Sequence, residues 1–338
     1  MSSTRFAVVG LGRIGARHAQ TINALDGVEL AAVCDPDPSM LARAAEFAPA
    51  AKPFQDFKAM LDSRSVDMVV LAVPSQMHCA MTLDALNAGC HVLVEKPVAH
   101  NSDEAAQMAQ TAQRLGLHLT VHQSMRYWGD TMLVHKLIAS GKLGRIFQVY
   151  RGQHFGGPPR EDWQIWRKNN GGAIANFGTH LVDAVLHVSN AVPRSVTASA
   201  AQIRDQGDVE DHFKIVIACE DDVTLECEAL RTPLGKALWH ICGTEGCAFA
   251  AETLPVVNLQ IQRFDGESWT ETYDFATEPA GIAMRMYYEQ LCDALASGAA
   301  PPVSIESVCQ QMQVLDAART SLAEAQRSVA TPQPSPAS

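Results

Sequence analysis

Over the first 123 residues, short apolar runs alternate with amphipathic stretches. "RFAVV", "VELAAVC", "VDMVVLAV", "HVLVEKPV" and "LHLTVHQ" are nearly continuous in apolar residues, the pattern of strands buried on both faces of a parallel sheet. Between them lie helical patterns. "SQMHCAMTLDALNAG" is closed by Gly89, and "NSDEAAQMAQTAQRLG" is expected to use Ser102 as its N-cap and to end at Gly116. Strands alternating with helices predict a doubly wound parallel sheet, with ligand bound beyond the carboxyl ends of the strands.

The rhythm then changes. "SMRYWGDTMLVHKLIASGKLG" reads as a bridging loop and helix, after which residues 145–155, 194–203, 212–219, 223–230 and 237–243 read as strands. In "VTLECEAL", Val223, Leu225, Cys227 and Ala229 fall on one face and Thr224, Glu226 and Glu228 on the other. Residues 243–246, "GTEG", form a turn between two strands. Successive strands without intervening helices predict an antiparallel sheet. "MRMYYEQLCDALASG" and "SIESVCQQMQVLDAARTSLAEAQR" are closing amphipathic helices, expected near the junction of two domains. The predicted organisation is α/β: a doubly wound domain over 1–123, an α+β domain with a large, open, mostly antiparallel sheet over 124–328, and a disordered Pro/Ser-rich tail over 329–338.

Composition narrows the function more than the fold. At 338 residues, two domains are expected. A net charge of −11 disfavours nucleic acid or an anionic membrane as partner. No apolar run approaches the about 20 residues of a membrane span, and the start "MSSTRFAVVGLGRIG" does not read as a signal peptide. Nine scattered cysteines without a C-x-x-C pair fit reduced thiols in a cytosol. Cys242 and Cys247 flank a turn, so no metal site is expected.

The first chemical signal is Gly10-x-Gly12-x-x-Gly15, between the first strand and a helix, with Asp35 twenty residues on at the end of the second strand. Glycines there permit a tight turn and close approach of a pyrophosphate to the helix N-terminus, while the acid binds the adenosine ribose. This is the layout of a Rossmann dinucleotide site. Asp35 would repel a 2′-phosphate, and Pro36-Asp37-Pro38 offers no cation to hold one. Arg13 is the nearest positive residue. NAD is therefore favoured over NADP.

Two further signals lie far apart. Glu95-Lys96-Pro97 closes the fifth strand at its functional edge, either as a structural ion pair or as chemistry. In "GGAIANFGTHLVD", residues 171–183, Asn176, His180 and Asp183 recur at spacings of four and three, which places them on one helical face. His187, one turn on, reads as structural. "PPREDWQIWRKNNGG" leads into that helix. Its Arg160, Trp163, Trp166 and Arg167 suit a pocket rim, with core packing as the rival for the tryptophans.

"GLGRIG", "CDPDP", "VPSQMH", "VEKP" and "NGGAIANFGTHLVD" occur in the order and spacing of the glucose–fructose oxidoreductase / inositol dehydrogenase / rhizopine-catabolism (Gfo/Idh/MocA) family, which the chain resembles over about residues 4–328. The resemblance implies cofactor contacts from the glycine loop with Arg13 and Ile14, from Asp35, from Val73, Pro74, Ser75 and His78, and from Glu95 and Lys96. It also places the pair Trp166-Arg167 near the cofactor, and Arg126 and Tyr127 at the pocket floor. In that family an Asp-x-x-x-His pair stands on the glycine-led helix. Here Asn176 occupies the aspartate position, a departure from the pattern. An amide cannot exchange a proton, so Asn176 is expected to orient a substrate hydroxyl or the imidazole, and His180 to have a lower pKa than beside an aspartate.

The expectation is a cytosolic NAD-dependent oxidoreductase acting on a secondary hydroxyl or ketone of a sugar, cyclitol or glycoside. His180 is expected to take the hydroxyl proton as base, Lys96 to donate to the developing alkoxide and share that proton, and Asn176 to orient. Arg126, Tyr127, Arg160, Trp163 and Asp183 would contact substrate, Asp183 being equally readable as a capping or solvated acid. The resemblance implies a homodimer or homotetramer through the second sheet. Two alternatives stay open: a glycoside-cleaving enzyme that oxidises its sugar transiently, and a non-catalytic NAD-binding sensor.

Overall fold

A computed structural model of the chain describes residues 4–155, 163–204, 207–231, 237–251, 256–274 and 281–328. The apolar runs form the first sheet: β1 (Thr4–Val9), β2 (Val28–Cys34), β3 (Lys52–Phe54), β4 (Met68–Leu71), β5 (His91–Val94) and β6 (Leu119–Val121). All are parallel, in the order β3-β2-β1-β4-β5-β6. Every residue of β4 is buried, as are Val92, Leu93 and Val94 of β5, because helices cover both faces. Those helices are α1 (Arg13–Asn23), α2 (Pro38–Phe47), α3 (Phe57–Asp62), α4 (His78–Asn87) and α5 (Ser102–Leu115). The order reverses between β1 and β4, and a crevice opens there.

The helix ends follow local chemistry, with one correction. The N-cap of α5 is Asn101, whose side chain accepts the Glu104 N–H; Ser102 is the first helical residue. At the far end Gly116 takes the left-handed conformation, φ 66°.

The chain then passes through a 3-10 turn (Ser124–Tyr127), α6 (Gly129–Ala139), β7 (Ile146–Phe155), a π turn (Ile174–Gly178) and α7 (Thr179–Ser189). β8 (Pro193–Ala201), β9 (His212–Cys219), β10 (Thr224–Arg231), β11 (Ala237–Gly243), β12 (Gly246–Ala251), β13 (Val256–Arg263) and β14 (Ser268–Asp274) complete the second sheet. Its order is β14-β13-β12-β11-β7-β10-β9-β8, antiparallel except for β10 against β7. Leu225, Cys227 and Ala229 are fully buried against α7, while Glu226 and Glu228 on the other face pair with Lys214 and Tyr150. β13 alternates as plainly, with Val257, Leu259 and Ile261 buried and the residues between them exposed. α8 (Ile282–Ser297) packs on α1 and the 3-10 turn. α9 (Ile305–Ser328) packs on α5 and β6 on one side and on α7 and β8 on the other. The predicted tail, 329–338, lies outside the described residues.

Gly15 is where the first sheet admits no side chain. A Cβ there would lie 1.7 Å from the Gly10 carbonyl oxygen, a backbone atom that cannot move aside cheaply. Gly15→Ala is expected to destabilise the protein by about 2–3 kcal/mol, seen as a lowered thermal midpoint. An unchanged midpoint would contradict this packing.

Candidate functional site

A crevice of about 1790 Å³ lies beyond the carboxyl ends of β1, β4, β5 and β6. Both halves of the chain wall it: Gly12, Arg13 and Ile14, Val73 to Ser75, Glu95 and Lys96 from the first, and Gln164, Asn170, Asn176 and His180 from the second. Of the sequence-predicted cofactor residues, Arg13, Ile14, Val73, Pro74, Ser75 and His78 thus come together with Gly12 along one side.

The residues on that side fit a dinucleotide. Gly12 begins α1 with no side-chain cap, so the first-turn N–H groups are left for a ligand. A Cβ at Gly12 would meet nothing within 4 Å: its absence serves close approach from the crevice, not internal packing. Asp35 is 9% exposed; its carboxylate accepts the Leu11 N–H at 2.7 Å and the Asp37 N–H at 2.9 Å. It therefore braces the glycine loop, with lone pairs to spare. His78 lies mostly below the surface. Its ring nitrogens reach the Val73 and Pro97 carbonyls, tying the end of β4 to the end of β5.

Lys96 extends from the end of β5 and meets the glycine-led helix. Its Nζ donates to Asn176 Oδ1 at 3.0 Å and to the Asn176 carbonyl at 3.4 Å. Because an ammonium only donates, the amide oxygen must face it, and Asn176 Nδ2 donates at its other end to Gln164 Oε1 at 3.1 Å. Both ends of the amide are thus engaged, with the lysine and not with the imidazole expected from the sequence. His180 is half-buried. Burial, then the nearby Lys96 ammonium, hold its pKa well below that of an ordinary histidine. Its Nδ1 is buried without a hydrogen-bond partner among the described residues.

Beneath Lys96 runs a network that the sequence reading missed. Glu95 Oε1 accepts from His18 at 2.9 Å and His122 at 2.7 Å, while Oε2 accepts the Lys96 N–H at 3.1 Å. The two histidines hold the Glu95 carboxyl well below the usual range, outweighing the opposing effect of its burial. His18 passes on to the Tyr288 hydroxyl at 2.7 Å. Donor atoms of His18, Glu95 and His122 lie within 4.8 Å of one another, so a metal could be held there only by giving up these hydrogen bonds. A signal for His18 was present. It shares the buried stripe of α1 with Gly15, Ala19 and Ile22, where a histidine needs partners.

Other expectations fall elsewhere. Arg126 and Asp183 do not line the crevice. They form a buried bidentate pair at 2.6 and 2.8 Å, and Arg126 also donates to Ser307 Oγ. Tyr127 is buried and donates to Gln290. This corrects the placement of all three against substrate: the partners lie far off in sequence, so spacing along one helix could not reveal them. Trp166 is 42% exposed and Arg167 binds Asp208, both beside the crevice and not in its lining. Their neighbour Asn170, in the left-handed conformation, instead reaches Ser75 Oγ at 3.3 Å. Arg160 lies outside the described residues, as does the side chain of Trp163. His187 stacks on His135, and burial lowers its pKa to about 4.

Two family descriptions match the chain: the oxidoreductase family with NAD-binding Rossmann fold over residues 4–123, and the GFO/IDH/MocA C-terminal domain over 131–249. The D-glucoside 3-dehydrogenase of Escherichia coli (strain K12) is 33% identical over 192 residues, 55% of this chain and 54% of that protein. The scyllo-inositol 2-dehydrogenase (NADP(+)) of Bacillus subtilis (strain 168) is 22% identical over 349 residues, 96% of this chain and 95% of that protein. The chain thus spans about half the length of the first relative and nearly all of the second. An oxidoreductase from Agrobacterium radiobacter, solved in complex with NAD+, L-tartaric acid and magnesium, superposes with a TM-score of 0.85 at 20% identity, covering 96% of this chain and 97% of that one. It has the same fold.

Two outcomes follow from these contacts. Asp183→Asn leaves the Arg126 guanidinium buried without its counter-charge, and should cost about 3 kcal/mol in denaturant unfolding without altering dinucleotide affinity. His18, His78 and His180 all have pKa values lowered chiefly by burial. The unfolded chain, titrating near about 6.5, therefore takes up protons before the folded one. Stability should fall as pH drops through about 6.5 toward the lower folded values. A denaturation midpoint higher at about pH 5.5 than at about pH 8 would contradict this.

Proposed function

The chain belongs to the Gfo/Idh/MocA family of NAD-binding oxidoreductases, and from that premise we propose that it transfers hydride between a nicotinamide dinucleotide and a secondary hydroxyl, or the matching ketone, of a sugar, cyclitol or glycoside. One observation carries the reading: the Lys96 ammonium and the Asn176–His180 face, from distant parts of the chain, meet in the crevice at the uncapped end of α1.

Oxidising a secondary alcohol removes a hydride and a proton. The nicotinamide, when bound, accepts the hydride. Lys96 supplies positive charge and N–H donors where the alkoxide develops, and Asn176 fixes the ammonium in place. His180, kept neutral, offers its Nε2 to a substrate hydroxyl. An uncharged polyhydroxy substrate suits this mixture of amides, imidazoles and one ammonium. The dinucleotide would occupy the side contributed by residues 1–123, and substrate the side contributed by 124–328.

Asp35 supports NAD over NADP, since its carboxylate disfavours a 2′-phosphate. Net acidity and reduced thiols support a cytosolic location, and the polar outer face of the second sheet, with Glu226 and Glu228, is the surface proposed for a homodimer or homotetramer.

NAD reduction over a panel of free sugars, inositols and glycosides tests the reading. At least one polyol should support NADH formation, with Lys96→Ala lowering kcat by about 100-fold or more. Activity indifferent to that substitution removes the lysine from the mechanism. kcat/KM should be higher with NAD than with NADP, and the reverse order would overturn the cofactor assignment.

A further inference from the structure

We propose that His122 is a proton-accepting residue of the crevice: backed by Glu95, its Nε2 takes the proton that leaves the substrate hydroxyl as the carbonyl forms. This rests on the oxidoreductase reading above.

His122 follows β6 directly, is 4% exposed and lines the crevice. Its Nδ1 lies 2.7 Å from Glu95 Oε1. An ionised carboxylate only accepts, so Nδ1 carries the hydrogen and Nε2 of the neutral ring is bare. That nitrogen is buried with no partner among the described residues. The other end of the network is closed. His18 donates to the same oxygen from Nε2, so its Nδ1 accepts the Tyr288 hydroxyl, and both of its nitrogens are satisfied. Among the described residues, the acceptor of this array left without a partner is His122 Nε2, on a ring that lines the crevice with Lys96 and His180.

The groups around this ring are Glu95 and Lys96 from the end of β5, His18 from α1, His180 from α7 and Tyr287 from α8. Among these, Glu95 is the nearby anion. His180 is less suited to proton uptake: burial and the Lys96 ammonium oppose charge on its ring, and Asn176 supplies none to offset them. In the step, the substrate C–H bond breaks and its electron pair leaves as hydride to the nicotinamide, which is the oxidant. The O–H bond breaks with the proton passing to Nε2, and the C=O bond forms. The resulting imidazolium pairs with Glu95 until the proton passes to water.

The tautomer can be tested without substrate. In the full chain labelled with 15N-histidine, the ring signals lost in His122→Asn, and independently in His122→Gln, identify His122. They should show a protonated Nδ1 and a bare Nε2 at about pH 8. A bare Nδ1 overturns the proposal. With a substrate from the panel, His122→Asn should lower kcat by about 100-fold while NAD affinity, read by fluorescence, changes less than about threefold. Glu95→Gln should move the acid limb of kcat/KM to lower pH, since the ring loses its counter-charge. An acid limb unmoved by both substitutions overturns the proposal even if NAD reduction stands. A panel without any substrate refutes the oxidoreductase reading alone, and the ring signals still decide the state of His122.

Discussion

The hydrogen bond from Lys96 Nζ to Asn176 Oδ1 is the point at which the two sheets become one site. A lysine at the end of a buried strand has to find oxygen, because an ammonium drawn from water without a partner is costly. Asn176 supplies that oxygen from a π turn at the head of α7, and its amide hydrogen reaches Gln164 in turn. A charge from the first sheet is thereby fixed to a helix of the second. Remove the amide oxygen, and the ammonium loses the shorter of its two hydrogen bonds to Asn176.

The same logic, one layer deeper, explains why Glu95 lies between two histidines. A half-buried carboxylate beneath a lysine backbone is tolerable only when its lone pairs are filled, and three N–H groups fill them. Each imidazole then has its tautomer set by the carboxylate, and what remains on its far nitrogen differs: a tyrosine hydroxyl for His18, and no partner among the described residues for His122, whose ring lines the crevice. Identical side chains on one oxygen acquire different capacities from what stands behind them.

Period and punctuation made the first sheet legible. "VDMVVLAV" and "HVLVEKPV" are apolar throughout because helices cover both faces, and Gly10, Gly12 and Gly15 marked the turn between β1 and α1. The second sheet was read as far as β11 and the turn after it. β13 and β14 were not assigned, although β13 alternates strictly, because no element ahead of them set a rhythm. Lys96, Asn176 and His180 were found by position. Asp183 was placed on their face by spacing, yet the guanidinium of Arg126, 57 residues away, captures it. His18 and His122 were missed for the same reason: a polar network closed by long-range pairs leaves no periodic trace.

α9 has a consequence for how the molecule can move. Gln311 donates to the Thr179 carbonyl at the head of α7, while Asp316 accepts the Ser102 N–H and Arg319 reaches the His100 carbonyl beside α5. One helix thus straps both sheets, and none of its described residues lines the crevice. Swinging the halves apart would tear these bonds together, so traffic of a large ligand in and out must be accommodated by side chains that line the crevice, such as Trp128 and Arg285, rather than by a clamshell motion about the middle of the chain.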